Sequence, residues 1–403
     1  MKNVLVLGAG KVGKSVAELL LACGMGAYRV TLADRDQANL DEARQNLDRL
    51  KKSVPHAIEF DLVKADVSDA AQVRSLLQGK YAVICMLPFN FVAGIADAAN
   101  DLGVHYFDVT EDVETTERVR EIAQNAKVAL VPQCGLAPGY IAIAAQDVAK
   151  RFDTIDELIL RVGALPQYST NALKYNVTWS AAGVVNEYCE PCNVMLDGRA
   201  TTVPALEGVE NFAFEGVDYE AFYTSGGVGT LIESLIEQKR TTPTSMIAYK
   251  TIRYPGHCGL MKFLLQDMRL GAEHAQPTPS GRVFDRALCV EMLEHAAPRT
   301  EQDVVVVFVS CIGTRQGRRE QINFKRTIHS TELFGRVWPA IELTTAAGVC
   351  AMVDLHRLGK LPARGFVRQE QCALDTFNQT PFGLAYENPG ALAAAVGSKG
   401  KAS

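Results

Sequence analysis

At 403 residues, 48% of them hydrophobic and 22% charged, the chain is long enough for two domains and has the composition of a soluble globular protein. A net charge of −5 excludes a general basic footprint for nucleic acid or an anionic membrane, so any clamp for an acidic substrate must be local. Ten cysteines lack a disulfide-framework spacing, and the chain enters its first strand directly after Met1-Lys2-Asn3. These features predict a reduced, cytoplasmic protein without a signal or transit segment. The longest uncharged run, 128–146, is broken by Pro132, Gly135, Pro138 and Gly139, and reads as strand, loop and helix rather than a membrane span.

The chain is organised around Val4-Leu5-Val6-Leu7-Gly8-Ala9-Gly10-Lys11-Val12-Gly13. Four apolar residues predict a short buried strand, and glycines in G-x-G-x-x-G spacing turn it into a helix opening at 14–17. Gly8 permits the tight turn, Gly10 leaves room for a pyrophosphate against bare backbone, and Gly13 lets helix and strand pack closely. Unpaired N–H groups and the positive end of the helix dipole suit a phosphate. A second strand, 28–33, ends at Asp34, where a carboxylate accepts hydrogen bonds from the adenosine ribose. Gly8, Ala9, Gly10, Lys11, Val12, Gly13 and Asp34 are therefore expected to hold a dinucleotide. Asp34 would repel a 2′-phosphate, which favours NAD, whereas Arg35 could turn toward such a phosphate and keeps NADP open.

A helix is expected over 37–52, with Leu40, Ala43, Leu47 and Leu50 on one face, then a strand over 58–64. Asp66 and Val67 follow it, placed to flank the adenine. A helix over 70–77 leads to a strand over 82–86, and its end at Leu87, Pro88 and Phe89 falls where a nicotinamide would lie, with Phe89 toward the substrate. A helix over 92–102, a strand over 105–107 ending at Asp108, a helix over 115–125 and a strand over 128–132 complete a doubly wound parallel sheet.

Beyond about residue 150 the pattern changes to alternating strands at 157–162, 174–179, 248–253, 303–312 and 321–329, which predict a mixed α+β domain. The run Val304-Val305-Val306-Val307-Phe308-Val309 fits either a central core strand or a subunit interface. An apolar helix over 341–355 is expected to return to the dinucleotide domain, and the tail 390–403 to be frayed. The expected divisions are 1–140, 141–340 and 341–403. Cys189-Glu190-Pro191-Cys192 is the only C-x-x-C, without a second pair or histidines at zinc spacing, so no metal site is expected.

Further stretches carry a resemblance: Cys134-Gly135-Leu136-Ala137-Pro138-Gly139, Thr178-Trp179-Ser180-Ala181-Ala182-Gly183-Val184-Val185-Asn186-Glu187-Tyr188, Thr224-Ser225-Gly226-Gly227, Tyr249-Lys250-Thr251-Ile252-Arg253-Tyr254-Pro255-Gly256-His257, Thr344-Thr345-Ala346-Ala347-Gly348 and Gly365-Phe366-Val367-Arg368-Gln369-Glu370. Together with the nucleotide fingerprint, they resemble the saccharopine dehydrogenase-like family, which includes glutamate-forming saccharopine dehydrogenases, lysine 6-dehydrogenases and carboxynorspermidine dehydrogenases. The resemblance implies a Rossmann domain interrupted by a substrate domain, and a homo-oligomer, by default a dimer. It also implies oxidation at a C–N bond: hydride passes to the nicotinamide, an imine forms, and water hydrolyses it. Saccharopine would give L-glutamate and 2-aminoadipate 6-semialdehyde. Lysine oxidised at its ε-amine is the alternative substrate, and a non-catalytic NAD-binding interaction protein is an alternative of another class.

Such chemistry needs a neutral amine, hence a base or a burial-lowered pKa, and local partners for substrate carboxylates. The resemblance assigns Arg253 to a carboxylate. Thr224, Ser225 and Gly226 offer hydroxyls and backbone N–H groups to a second one. Asp108, at a strand end, is the first choice as base, with Glu111 and Asp112 competing for the duty. Cys134 is placed to line the pocket, with thiol catalysis the sharper reading, and His257 is a proton-shuttle candidate. Some glutamate-forming relatives carry aspartate where this chain has Ala137, which resembles lysine 6-dehydrogenases; the 260–270 and 365–370 blocks resemble bacterial proteins labelled saccharopine dehydrogenase.

Overall fold

A computed structural model describes residues 1–399 apart from 274 and 276. Strand and helix alternate through the first third: β1 (Lys2–Leu7), α1 (Lys11–Cys23), β2 (Tyr28–Asp34), α2 (Gln37–Ser53), β3 (Glu59–Lys64), α3 (Ala70–Leu77), β4 (Ala82–Cys85), α4 (Phe89–Asp101), β5 (His105–Asp108), α5 (Val113–Ala123) and β6 (Ala129–Val131). After α6 (Tyr140–Ala149) come β7 (Thr154–Pro166), α7 (Ala181–Cys189), β8 (Cys192–Leu196), β9 (Arg199–Val203), β10 (Glu210–Phe214), β11 (Val217–Tyr223), α8 (Leu231–Glu237), β12 (Thr241–Arg253), α9 (His257–Lys262), α10 (Arg286–Ala296), β13 (Asp303–Arg315) and β14 (Arg318–His329). The chain closes with β15 (Thr331–Leu333), β16 (Arg336–Trp338), α11 (Ala340–Arg357), β17 (Gly365–Phe366), α12 (Leu374–Asn378), α13 (Leu384–Glu387) and α14 (Ala391–Lys399). Two units result. Unit 1 comprises Met1–Ile143, Thr331–Trp338 and the chain from Glu342 onward; unit 2 comprises Ala144–Ser330 and Pro339–Ile341.

Unit 1 is built on a seven-stranded parallel sheet in the order β17-β6-β5-β4-β1-β2-β3. Helices cover it, so Val4, Leu5, Val6 and Leu7 are wholly buried, as their unbroken apolar run requires. Strand order reverses at β1, whose end at Leu7 lies between Ala33 and Cys85, and this switch point opens the crevice at the carboxyl edge. Aspartates set the starts of three helices: Asp36, Asp69 and Asp112 each accept first-turn N–H bonds of α2, α3 and α5. The Asp112 cap starts α5 at Val113 rather than 115, and α4 starts at Phe89 rather than 92, directly after Pro88.

The C-terminal stretch returns to this unit through α11, as the sequence leads one to expect, and adds a strand that the sequence pattern did not show. β17 pairs with β6 and extends the sheet, and Gly348 of α11 lies so close to the 134–135 backbone that a Cβ would stand 2.6 Å from the Cys134 carbonyl oxygen. The tail expected to fray is helical over Ala391–Lys399, because Leu392 and Val396, four residues apart, bury on one face. Residues 400–403 lie outside the described residues.

Unit 2 carries a mixed sheet in the order β10-β11-β12-β7-β13-β14, with β8 joining β12 and β9. β12 and β7 run parallel and the other pairs antiparallel. β13 lies between β7 and β14, so the valine run is a central strand. Residues 174–179 are not a strand. The Asn171 side chain closes a turn there through Tyr175, and Val177 makes only an isolated bridge to Arg299. The alternation arises because Tyr175 and Val177 bury among α7, α9 and α10.

Candidate functional site

The ligand-facing surface of unit 1 begins where β1 ends. Gly8 turns at φ +99°, and a Cβ on it would stand 2.7 Å from the Met86 carbonyl oxygen. A Cβ on Gly13 would stand 1.9 Å from the Gly8 oxygen, so α1 and the loop touch backbone to backbone. The Cβ position of Gly10 has no atom within 4 Å, leaving open space where a pyrophosphate needs it. Unlike α2, α3 and α5, α1 has no side-chain cap, and its first-turn N–H groups at Lys11, Val12 and Gly13 are left for a ligand.

Asp34 does two things. Its Oδ2 accepts the Ala9 N–H at 2.6 Å and its Oδ1 the Asp36 N–H at 2.8 Å, so it ties the glycine loop to β2 and fixes a carboxylate at the strand end. Arg35 beside it is exposed. Asp66, two residues beyond β3, has a carboxylate that accepts bonds from the Ser68 N–H and hydroxyl, which hold it below the usual carboxylate range. Val67 and Leu87 pack half-buried against the sheet core, Pro88 precedes α4, and Phe89 is 45% exposed on its first turn. These residues fit an adenine dinucleotide: the backbone of Gly8–Gly13 would face its pyrophosphate and Asp34 its ribose.

At the end of β5, Asp108 is buried, its Oδ1 accepting the N–H groups of Thr110 and Gln133, both at 2.9 Å. Oδ2 is buried near the Tyr106 hydroxyl without a well-formed hydrogen bond. Burial outweighs the two N–H bonds and raises the Asp108 pKa to about 6. Burial likewise raises Glu111 to about 7, helped by the charges of Asp112 and Asp108. The Cys134 thiol donates to the Val131 carbonyl at 3.0 Å and receives Gln369 Nε2 at 3.3 Å; burial and the Asp108 charge push it up, so it stays a thiol. The cluster can exchange protons near neutral pH through its carboxyls and offers no thiolate.

In unit 2 the Glu220 carboxylate accepts the N–H groups of Gly256 at 2.8 Å and Cys258 at 2.6 Å, bending the chain sharply after β12. That bend brings His257 beneath Tyr188 of α7. His257 Nδ1 lies 2.8 Å from the Leu173 carbonyl and must donate to it, which leaves Nε2 to accept the Tyr188 hydroxyl at 3.1 Å. The Tyr188 oxygen in turn accepts Arg253 Nε–H at 2.9 Å. Burial and the Arg253 charge lower the His257 pKa to about 3, consistent with this neutral tautomer.

The relay holds a buried guanidinium in place. Arg253 Nη1 donates to the Ile252 carbonyl at 2.9 Å, and the cation lies 5.1 Å from the Tyr175 ring centre and 5.9 Å from that of Tyr188. No carboxylate among the described residues forms an ion pair with it, and Nη2 makes no hydrogen bond there. Burial opposes its charge, but Tyr188, Tyr175 and Glu187 more than offset that penalty. The Thr224 and Ser225 hydroxyls are engaged within the fold, with Thr251 Oγ1 at 2.7 Å and the Pro191 carbonyl at 3.0 Å. Gly226 turns at φ +84° beside Gly227, where a Cβ would meet the Tyr249 ring.

Two family models cover the chain, the second spanning unit 2 and the stretch that returns to unit 1. The saccharopine dehydrogenase NADP binding domain matches residues 4–131, and the saccharopine dehydrogenase C-terminal domain matches residues 135–382. The chain belongs to the saccharopine dehydrogenase family. It is 24% identical over 319 residues to saccharopine dehydrogenase [NADP(+), L-glutamate-forming] of Pyricularia oryzae, covering 77% of this chain and 66% of that protein. It is 26% identical over 208 residues to the mitochondrial alpha-aminoadipic semialdehyde synthase of Mus musculus, covering 50% of this chain and 21% of that one. The chain thus matches less than two thirds of the length of these curated relatives. The fold is shared with apo saccharopine dehydrogenase (L-Glu forming) from Saccharomyces cerevisiae, at a TM-score of 0.71 and 18% identity over 95% of this chain and 97% of that one.

Within unit 1 the structure gathers Gly8–Gly13 with Asp34, and separately Asp108 with Cys134; within unit 2 it joins Arg253 to His257. Reading the sequence overlooked Tyr175, Tyr188, Glu187 and Gln369 as working residues. Tyr188 and Glu187 stand in the 178–188 block already singled out, where a polar pair inside an apolar helix was the available signal.

Proposed function

We propose that the chain oxidises saccharopine at its secondary amine with a nicotinamide adenine dinucleotide, giving L-glutamate and 2-aminoadipate 6-semialdehyde through an imine that water hydrolyses. The observation that carries this reading is Arg253: a buried, oriented guanidinium with no carboxylate ion pair among the described residues, in a member of this family. Tyr188 and the Ile252 carbonyl occupy Nε and Nη1, and a substrate carboxylate is the partner the rest of its fork fits. The bound dinucleotide supplies hydride acceptance. Unit 1 holds it through the 8–13 backbone and Asp34, and the fixed negative charge at Asp34 supports NAD over the NADP for which the family domain is named. Asp108, or Glu111 beside it, takes the amine proton, while Cys134 lines the site as a thiol and His257 orients Tyr188.

The test is to incubate purified protein with NAD or NADP and either saccharopine or L-lysine, following absorbance of the reduced nicotinamide. Saccharopine with NAD is expected to turn over fastest. Turnover of lysine alone would transfer the reading to ε-amine oxidation, and dinucleotide binding with no turnover would leave a non-catalytic protein. Sedimentation of the same preparation checks the expected homodimer.

A further inference from the structure

Two buried hydroxyls beside Arg253 are left over by the fold of unit 2. Tyr175 is 2% exposed and Thr178 4%, and neither Tyr175 Oη nor Thr178 Oγ1 makes a well-formed hydrogen bond to the protein. The two lie near one another on the stretch that leads into α7. A contact between two hydroxyls satisfies one hydrogen only, so whichever of them donates, one O–H remains without an acceptor. Leaving such a group unpaired in the interior is costly, and here it stands next to a buried cation.

The Tyr175 ring is fixed on two sides. Its centre stands 5.1 Å from the Arg253 guanidinium carbon and 5.4 Å from the centre of the His257 ring. The Asn171 side chain closes the backbone beneath it, donating to the Tyr175 carbonyl at 2.7 Å. The phenol oxygen, at the rim of that ring, therefore stays within the span that one carboxylate bridges from the guanidinium. Burial raises the phenol above its ordinary range against the opposing charge of Arg253, so it remains an O–H donor at neutral pH. Arg253 has Nη2 left over in the same way, since Tyr188 and the Ile252 carbonyl take Nε and Nη1. The leftover groups are thus of one kind, N–H and O–H donors around a positive charge. A carboxylate offers acceptors at both oxygens, whereas a carboxamide has one and turns its own N–H donors against these.

We propose that the Tyr175 hydroxyl, supported by Thr178, donates to the substrate carboxylate held by Arg253 and so selects carboxylate over carboxamide at that end. This inference rests on the reading of Arg253 as a carboxylate site and deepens it by naming the donor for the second oxygen. Tyr175 contacts the ligand. Thr178 is a positioning residue, donating to the phenol oxygen and turning the phenol hydrogen toward the carboxylate.

The test sets stability against binding. A hydroxyl that serves the fold takes stability with it when removed, and one held for a ligand does not. Tyr175→Phe keeps the ring on which Arg253 and His257 pack and removes only the oxygen. Without ligand it is expected to unfold thermally at or above the wild-type temperature. Calorimetric titration of the protein in saturating NAD, with hexanoate and with hexanamide, reads the ligand side. Wild type is expected to bind hexanoate at least about tenfold more tightly than hexanamide. Tyr175→Phe should weaken hexanoate about tenfold and leave hexanamide within about twofold, and Thr178→Val should weaken hexanoate about threefold. A Tyr175→Phe protein that melts well below wild type, or does not fold, overturns the inference, because the phenol then serves the fold. Wild-type affinity of Tyr175→Phe for hexanoate overturns it as well. The titration reads no turnover, so these affinities in a protein without dehydrogenase activity sink the proposed reaction and leave this inference standing. Oxidation of saccharopine with KM unchanged by Tyr175→Phe overturns this inference alone.

Discussion

In unit 1 the ligand-facing surface comes from three glycines and an uncapped helix start inside one ten-residue stretch. In unit 2 the candidate site is assembled from side chains of α7, β12 and the start of α9, far apart in sequence and buried together. A backbone site has few ways to fail, all steric. A side-chain site depends on charges that are costly to bury, and each is held by a neighbour that can be removed separately. The contrast orders the effects of substitution.

Gly13→Ala should do the most damage. Its Cβ meets the Gly8 carbonyl oxygen at 1.9 Å, and neither backbone can yield without parting α1 from β1. Thermal unfolding should show a loss of about 3 kcal/mol, at the upper end of overpacking, with dinucleotide binding lost as well. Gly10→Ala sharpens the comparison, because nothing in the protein stands within 4 Å of its Cβ: it should unfold like wild type and bind dinucleotide more weakly.

Next comes the guanidinium. Arg253→Met should raise KM for saccharopine on the order of 100-fold, for the loss of a bidentate charge-assisted contact, while kcat stays within about threefold. A wild-type kcat/KM would remove Arg253 from the substrate site. Asp34→Ala should lower the preference for NAD over NADP about tenfold, as measured by the two kcat/KM values. An unchanged ratio would mean that Asp34 only braces the loop through Ala9.

Proton linkage distinguishes the units more gently. Asp108, raised to about 6, must be ionised to accept a proton, so kcat/KM should fall as pH drops through about 6, and Asp108→Asn should abolish that limb along with most activity. For stability the signs oppose. A carboxyl with a raised folded pKa binds its proton more readily when folded, so Asp108 and Glu111 favour unit 1 as pH falls toward 4. His105, lowered to about 4 by burial and by neighbouring His356, does the reverse: its contribution is present above about 6.5 and is lost as pH falls through 4. His257, lowered to about 3, acts in that same direction on unit 2. Mild acid is therefore expected to loosen unit 2 before unit 1, and hydrogen exchange between pH 6.5 and 4 checks it.

Most of unit 1 was legible because local rules and the global fold agree there. The apolar run of β1, the glycine spacing and the strand–helix alternation all point to the same elements. Where reading failed, a local pattern served another purpose. Alternation over 174–179 buries Tyr175 and Val177 without any ladder, and the small residues of α14 hide a buried face at Leu392 and Val396. Arg253 was legible through the family resemblance of the 249–257 block. Glu187 reads as an ordinary polar helix residue, and only the tertiary structure shows that it is buried. The Thr224 and Ser225 hydroxyls point the same lesson in reverse, because residue type suggested ligand contacts where the fold uses them internally.

Unit 1 is discontinuous in the chain, and this bears on synthesis. Its sheet takes its last strand, Gly365–Phe366, long after the first six, and Gly348 docks on backbone laid down more than two hundred residues earlier. On the ribosome, β6 keeps an open edge until that late segment emerges, while all of the strands of unit 2 are already available to pair. A nascent chain thus completes its middle before its beginning.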